Sequence, residues 1–270
     1  MIQWVDVYKS FGEKRVLQGF TLDVVEGETM VIIGYSGSGK SVAIKHAVGL
    51  LVPDRGTVIV DDNDVPSLPR RELYEMRGSI GYVFQFAALF DSLTIGDNVA
   101  MGLRKQGTLS ESEIAERVGR ALELVDLPNV EDRYPAELSG GMRKRVGIAR
   151  AVAHRPKYIL YDEPTTGLDP VTSANIDQLM IRMREKLGVT SVVITHDMRS
   201  AYSVGTRIAM LYEGRVRQVG TVEEIQMTAD PVVRQFIEGN PTLPNGRDAE
   251  LVAELDRASG RGPASRIGGR

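Results

Sequence analysis

The chain of 270 residues contains no cysteine, one tryptophan and three histidines. The missing thiols exclude disulfides, thiolate zinc sites and iron–sulfur clusters, a composition that fits a reducing compartment. No apolar run approaches the roughly 18 residues of a membrane-spanning helix, and the first residues lack the pattern of a signal peptide. A formal net charge of −3 argues against a nucleic-acid-coating protein. We therefore expect no nucleic-acid partner, and a membrane role only through another protein.

A glycine-rich stretch at residues 34–41 organises the rest of the chain. It follows an apolar run at residues 29–33 that predicts a buried strand, and it leads into residues 42–51, which predict a helix. This order matches the phosphate-binding loop G-x-x-x-x-G-K-[ST], the alternative being a plain turn that ends a strand. The predicted nucleotide-contacting residues here are Gly34, Tyr35, Ser36, Gly37, Ser38, Gly39, Lys40, Ser41 and Val42.

The residue types of this loop suit a triphosphate. Amide groups at a helix start are unpaired donors at the positive end of the helix dipole. Gly37 and Gly39 allow the backbone to fold such amides around an anion. Lys40 is predicted to reach the β- and γ-phosphates, and the Ser41 hydroxyl is predicted to bind Mg²⁺.

Polar side chains close three other predicted strands. Asp162 and Glu163 end an apolar run, where Asp162 is predicted to hold Mg²⁺ or its water shell and Glu163 to orient the attacking water. Gln85 ends another run, and its amide can contact both Mg²⁺ and that water. His196 follows a third and can hydrogen-bond the γ-phosphate, since open α/β sheets bind ligands at the carboxyl ends of strands. Ordinary strand-end residues and a solvated acidic turn are the alternatives.

Two further segments complete the candidate site. Ser139, Gly140 and Gly141 open a basic helix whose free N–H groups suit an anion, although Ser-Gly-Gly is also a common loop. Asp169 is a predicted helix N-cap before a proline. Phe11, between the first two predicted strands, can stack on an adenine ring, with Tyr8 as the competing aromatic.

In the order Phe11, GYSGSGKS, Gln85, LSGGM, ILYDE, GLD and His196, the chain resembles the nucleotide-binding domain of an ABC transporter over roughly residues 1–240. The resemblance implies an α/β fold, a P-loop NTPase of ABC type. Its parts are a RecA-like mixed-sheet core, an antiparallel β subdomain and an inserted α-helical subdomain at about residues 86–155. Residues 241–270 are expected to be a partly disordered C-terminal extension.

The same resemblance implies an ATPase that uses ATP and Mg²⁺ as a head-to-tail homodimer. Each ATP would lie between the phosphate loop of one chain and Ser139, Gly140 and Gly141 of the other, with Asp169 communicating across the interface. Met142 and Phe11 depart from the more usual Gln and Tyr of the family. Neither change removes a group that contacts phosphate.

Details outside these motifs look like the Mla/Mce-type ATPases. They are the stretch FQFAALF at residues 84–90, the Met of LSGGMRKRVGIARA and the stretch DPVVRQFIEG at residues 230–239. That similarity implies phospholipid transport through an integral membrane permease, an MCE-domain lipid-binding protein, a small regulatory subunit, and a place on the cytoplasmic face of the inner membrane. Other cargoes (amino acid, metal or drug) and a soluble ABC protein acting on ribosomes or DNA are the alternatives.

The aromatic stretch after Gln85 is the expected contact with the permease. We define residues 86–91 as the aromatic loop, and it contains Phe86, Leu89 and Phe90. These side chains would otherwise belong to the core.

Overall fold

The computed structural model describes residues 1–239. Contacts divide the chain into one unit at Met1–Val222 and a second that begins at Glu223. The predictions for the tail after Gly239, including a helix at residues 249–258, lie outside the described residues. Among the described helices, none has the length and apolar character needed to cross a bilayer.

Residues 1–239 form ten strands and nine α-helices. The strands are β1 (Ile2–Phe11), β2 (Lys14–Val24), β3 (Thr29–Ile33), β4 (Arg55–Val60), β5 (Asn63–Asp64), β6 (Ile80–Val83), β7 (Tyr158–Asp162), β8 (Thr190–Ile194), β9 (Arg207–Tyr212) and β10 (Arg215–Thr221). The helices are α1 (Lys40–Ala47), α2 (Arg70–Arg77), α3 (Ile95–Gln106), α4 (Glu111–Leu124), α5 (Gly140–Val152), α6 (Pro170–Leu187), α7 (Met198–Val204), α8 (Val222–Gln226) and α9 (Pro231–Glu238).

The first sheet is antiparallel and has the order β2-β1-β4-β5. Its inner face carries Trp4 and Phe20, both fully buried and packed edge to face with ring centroids 5.9 Å apart. The indole N–H of Trp4 donates to the carbonyl of Ala43 in α1 at 2.8 Å. This contact fixes the antiparallel sheet against the helix that follows the phosphate loop.

The second sheet has the order β10-β9-β3-β8-β7-β6. Five neighbouring strands of this sheet run parallel: β9, β3, β8, β7 and β6. The edge strand β10 pairs antiparallel with β9. Strands β3, β7 and β8 are buried throughout, as expected for parallel strands covered on both faces. The register pairs Ile32 with Ile194 and Val83 with Tyr161. The segments that follow β3, β6, β7 and β8 therefore emerge at one edge of the sheet.

Helices α3, α4 and α5 lie between β6 and β7 in the chain and pack on one another. The Ser-x-x-Glu pattern at residues 110–113 predicts a capping box at the start of α4. It is present, since Ser110 and Glu113 exchange side-chain and backbone hydrogen bonds. The apolar residues that follow at helical spacing predict a buried stripe, and they are buried: Ile114, Val118, Ala121, Leu122 and Val125. Each of these helices begins at a residue whose hydroxyl accepts a backbone N–H.

Several elements differ from their predicted extent. Helix α1 spans Lys40–Ala47 rather than residues 42–51, with Gly39 as its N-cap. Phe11, expected between the first two strands, is the last residue of β1. The apolar run at residues 80–84 predicts a strand, and β6 ends one residue earlier, at Val83. Helix α2 was not predicted, and Met76 is its single buried residue, so it has no apolar stripe to signal a helix.

Candidate functional site

The phosphate loop needs glycine at two positions for steric reasons. Gly34 and Gly39 have φ values of 148° and 107°. A Cβ at Gly34 would lie 2.3 Å from the carbonyl oxygen of Leu211, and one at Gly39 would lie 2.9 Å from Val16. Both the backbone conformation and the close approach of neighbouring strands therefore exclude larger residues. Gly37, with φ of 78°, is open on its side-chain face.

Lys40 begins α1 and turns back over the loop. Its Nζ donates to the carbonyl oxygens of Gly34 and Tyr35 at 2.8 and 3.0 Å, and the residue is 5% exposed. Burial lowers the pKa of this ammonium, while the nearby carboxylates of Glu163 and Asp162 act in the opposite direction. The loop thus holds a desolvated cation where the carbonyl bonds can be exchanged for bonds to phosphate oxygens.

Ser41 and Asp162 meet beside this cation. The Ser41 hydroxyl donates to Asp162 Oδ1 at 2.7 Å, and the Tyr82 hydroxyl donates to Asp162 Oδ2 at 3.1 Å. Burial, followed by the Asp162 charge, raises the pKa of Tyr82, so this phenol stays a donor. A hydroxyl and one carboxylate are the few protein ligands that Mg²⁺ accepts next to phosphate oxygens, so the residues fit this ion. Bound there with a nucleotide, Mg²⁺ would neutralise charge on the β- and γ-phosphates.

Glu163 follows β7 in a left-handed conformation, with φ of 50°. Its Oε2 accepts from the Thr166 hydroxyl at 2.6 Å and lies 2.9 Å from Nδ1 of His196. The Glu163 side chain is 16% exposed and that of His196 is 52% exposed. A carboxylate held on one oxygen, with its second oxygen available, can orient and polarise a water molecule.

The cradle cavity, of about 340 Å³, brings Phe11, the phosphate loop and Glu163 together. Lys14 and Val16 of β2 also line it. Tyr8 is not among its lining residues, and its ring faces the Arg55 guanidinium at 5.1 Å instead, which favours Phe11 as the stacking aromatic. The other lining residues are Ser36, Gly37, Gly39, Lys40, Ser41 and Val42.

Gln85 follows the parallel strand β6 and is outside the lining of the cradle cavity. It is half-buried, and the last residue of β6 pairs with Tyr161 next to Asp162. The parallel register therefore places Gln85 at the same sheet edge as Asp162, Glu163 and His196, although Gln85 does not line the cavity. Its contact with Mg²⁺ stays a prediction.

Ser139, Gly140, Gly141 and Asp169 line a different cavity, the signature cavity, of about 560 Å³. Ser139 is the N-cap of α5, its hydroxyl accepting from the Met142 amide at 3.2 Å. Asp169 is the N-cap of α6, as predicted. No residue is shared between the linings of the signature cavity and the cradle cavity. Within one copy of the chain, the signature residues therefore do not line the cavity that contains the phosphate loop.

Sequence reasoning missed the residues that support the site from outside it. Tyr82 and Thr166 bind the two acidic side chains, and Lys144 reaches the backbone beside Glu163. Of the three, Lys144 alone lies in a segment that the sequence singles out, the basic helix that Ser139, Gly140 and Gly141 open. Nothing in the local sequence of Tyr82 indicates a partner 80 residues away.

A family model, curated relatives and solved structures all match this chain to ATP-binding proteins of transporters. The family model described as "ABC transporter" matches residues 17–166. A probable ribonucleotide transport ATP-binding protein, mkl, of Mycobacterium leprae is 41% identical over 242 residues, which cover 90% of this chain and 70% of that protein. The chloroplastic protein TRIGALACTOSYLDIACYLGLYCEROL 3 of Arabidopsis thaliana is 39% identical, covering 89% and 74%. The methionine import ATP-binding protein MetN 1 of Bacillus cereus is also 39% identical, covering 95% and 75%.

A solved structure with the same fold has the nucleotide products in place. It is a dimeric, post-hydrolysis state of the ATP-binding cassette MJ0796 bound to ADP and Pi. The two chains are 36% identical with a TM-score of 0.76, and the match covers 82% of this chain and 99% of that one.

Proposed function

Because the chain belongs to the ABC transporter family, and so is an ATPase that binds ATP with Mg²⁺, we propose that it powers lipid transport through a separate membrane permease. The proposal includes a motor: ATP binding closes a dimer of the chain, and hydrolysis reopens it. The observation that supports the motor is that the phosphate-loop residues and the signature residues line two different cavities. The cradle cavity contains Lys40 and Glu163, whereas the signature cavity contains Ser139. A complete site then requires a second copy of the chain, placed head to tail.

Within that dimer the residues divide the work. Lys40 exchanges its bonds to loop carbonyls for bonds to phosphate oxygens, and Ser41 and Asp162 hold Mg²⁺. Glu163 orients the attacking water, while His196 and Gln85 contact the phosphate and water from the neighbouring strand ends. The amides and hydroxyl of the partner's signature segment, residues 139–141, close the site over the γ-phosphate. Hydrolysis removes the group that both chains hold, and the dimer reopens.

The aromatic loop is the surface that we assign to the permease. Phe86 is 81% and Phe90 is 53% exposed, so neither belongs to the core. The loop is nevertheless fixed. Arg150 donates to the carbonyls of Ala87 and Ala88 at 2.6 and 2.7 Å, and buried Asn98 exchanges hydrogen bonds with both backbone groups of Phe90. A rigid loop that displays apolar side chains suits a short helix of a membrane protein.

This assignment is tested by charging the loop. Phe86→Asp should abolish co-purification with the permease while leaving the isolated ATPase and its melting temperature unchanged, because the side chain contacts mainly solvent. Val52→Asp, at another exposed apolar residue (60% exposed), is the matched control and should keep the partner. Retention of the permease by Phe86→Asp would place its docking surface elsewhere.

The lipid cargo is supported by the sequence similarity to TRIGALACTOSYLDIACYLGLYCEROL 3 and by the Mla/Mce-like stretches around Phe84 and Met142. It implies an MCE-domain protein beyond the permease, a small regulatory subunit, and attachment to the cytoplasmic face of the inner membrane. The likeness to MetN 1 favours a second candidate, amino-acid import, and mkl carries a ribonucleotide name.

Reconstitution separates these cargoes. The chain and its co-purified permease, in vesicles of defined phospholipid composition, should move a labelled phospholipid between membrane and acceptor only with ATP. Labelled methionine or a ribonucleotide should not accumulate. ATP-dependent uptake of either solute, without lipid movement, would overturn the lipid assignment and leave the motor assignment intact.

A further inference from the structure

The ammonium of Lys144, in the second turn of α5, lies beside the backbone of Glu163. The residue is 8% exposed, and its Nζ donates to the carbonyl oxygen of Thr166 at 2.6 Å and approaches that of Glu163 at 3.5 Å. Burial lowers the pKa of this ammonium, while the Glu163 charge raises it. Keeping a buried lysine charged costs free energy unless hydrogen-bond acceptors compensate for the lost water. Its partners here are the two ends of one turn, residues 163–166, which we call the carboxylate turn.

The carboxylate turn depends on such support because its conformation is unfavourable by itself. Glu163 is a non-glycine residue with φ of 50°, and it precedes Pro164, which further restricts its backbone. The Thr166 hydroxyl holds the Glu163 side chain, and the Thr166 amide donates to the Glu163 carbonyl at 3.3 Å. A displacement of Thr166 therefore moves both the backbone and the carboxylate of Glu163.

A second contact joins the same two segments. A Cβ on Gly141 would lie 2.6 Å from Cγ2 of Thr172, so the start of α5 sits directly against α6. The amide of Thr172 donates to Asp169 at 2.9 Å, and its hydroxyl donates to the same carboxylate. The signature segment is therefore attached to the 163–172 stretch at two places, one through Lys144 and one through Gly141.

We propose that Lys144 is a positioning residue that joins the signature segment of each chain to the Glu163 carboxylate of the same chain. In the dimer of the proposed function, on which this inference rests, the signature segment contacts the nucleotide held by the partner. Glu163 serves the nucleotide held by its own phosphate loop. Lys144 then makes the geometry of one ATP site depend on whether the other is occupied.

Mixed dimers with a single competent carboxylate test this directly. Each dimer pairs a Glu163→Gln chain with a chain that keeps Glu163, and Lys144→Met is placed in one chain or the other. With Lys144→Met in the chain that keeps Glu163, single-turnover phosphate release should slow about tenfold with the KM for ATP unchanged, since a misplaced carboxylate affects chemistry rather than binding. With Lys144→Met in the Glu163→Gln chain, the rate should stay within about twofold of the reference dimer.

Controls separate positioning from folding. Lys157→Met removes a lysine that bonds Asp61 at 2.8 Å and lines neither cavity, and it should leave both arrangements unchanged. Lys144→Arg should restore the rate. If Lys144→Met does not fold, as judged by thermal unfolding, Lys144→Gln carries the same comparison. Equal rates in the two arrangements would overturn the proposal, whereas failure of Glu163→Gln chains to dimerise with ATP would overturn the proposed function instead.

Discussion

Replacing Glu163 by Gln changes one oxygen into an amide nitrogen and little else. The Thr166 hydroxyl, 2.6 Å from Oε2, can still donate to the remaining carbonyl oxygen of the side chain. Nδ1 of His196, at 2.9 Å, keeps a polar neighbour. The backbone hydrogen bond from Thr166 to the Glu163 carbonyl and the bond from Lys144 to the Thr166 carbonyl do not use the Glu163 side chain and are kept. The variant therefore isolates the ability of the carboxylate to polarise a water molecule.

The expected loss of hydrolysis rate is therefore the contribution of a general base alone. A positioned general base contributes about 10²–10⁴-fold to a rate, which corresponds to roughly 3–5 kcal/mol of barrier. Nucleotide binding should be unchanged or tighter, since Lys40 and the loop amides are intact and one negative charge near the phosphates is removed. We expect kcat to fall within this range while ATP stays bound and the dimer stays closed.

Phosphate release and trapping of labelled ATP measure the two effects separately. Glu213→Gln is the matched control, because Glu213 also has a positive φ, 47°, and lies in the turn between β9 and β10. It should hydrolyse ATP at the wild-type rate. Wild-type turnover by Glu163→Gln would refute the assignment of the base. Loss of ATP binding would show instead that the carboxylate supports the cradle.

Three other substitutions address the shared site and the pH dependence. Lys40→Ala should weaken nucleotide binding itself, measured by equilibrium titration. Ser139→Arg should abolish hydrolysis, and mixing with Lys40→Ala chains should restore one working site per mixed dimer. No recovery of phosphate release in the mixture would contradict a shared site. Asp177 is buried, which raises its pKa from 3.8 to about 6, so the folded chain binds this proton more tightly than the unfolded chain. The contribution of Asp177 to the free energy of unfolding is therefore most favourable below about pH 4 and is lost as the pH rises to about 6. Asp177→Asn, which keeps an acceptor for the Ser200 hydroxyl, should raise the free energy of unfolding by about 1–3 kcal/mol at about pH 8 and flatten its pH dependence, measured by urea unfolding. An unchanged pH profile would refute this attribution.

Features encoded within a dozen residues were predictable from the sequence. The sequence predicts a strand at residues 29–33 and a helix at residues 231–238, and β3 and α9 have these bounds, because an apolar run and a capped, amphipathic helix leave local signals. The N-cap at Asp169 and the capping box at Ser110 follow from short side chains that reach nearby amides. The glycines of the phosphate loop belong to the same class, since their pattern is local even though the strands that crowd them are distant.

Features that depend on distant partners were not predictable. Ala87 and Ala88 both adopt left-handed conformations, with φ of 60° and 49°, which alanine does not signal. Arg150 holds them through bonds that span 62 and 63 residues. Helix α2 was not predicted because it buries only Met76, so its sequence shows no apolar stripe. For Ala87 and Ala88, tertiary contacts override a local preference, whereas α2 buries too few apolar side chains to leave a periodic signal.

The basic residues of α5 show why the distinction matters for function. The sequence suggests cations near an anion site, yet Arg143, Lys144, Arg145 and Arg150 all donate to backbone carbonyl oxygens of other segments. At 1.5 Å per residue, residues 140 and 150 are about 15 Å apart on one stiff helix. One end carries the signature segment and the other fixes the aromatic loop, with Lys144 between them. Closure of a dimer on ATP would then reach the aromatic loop, the proposed permease contact, as movement of a single rigid element.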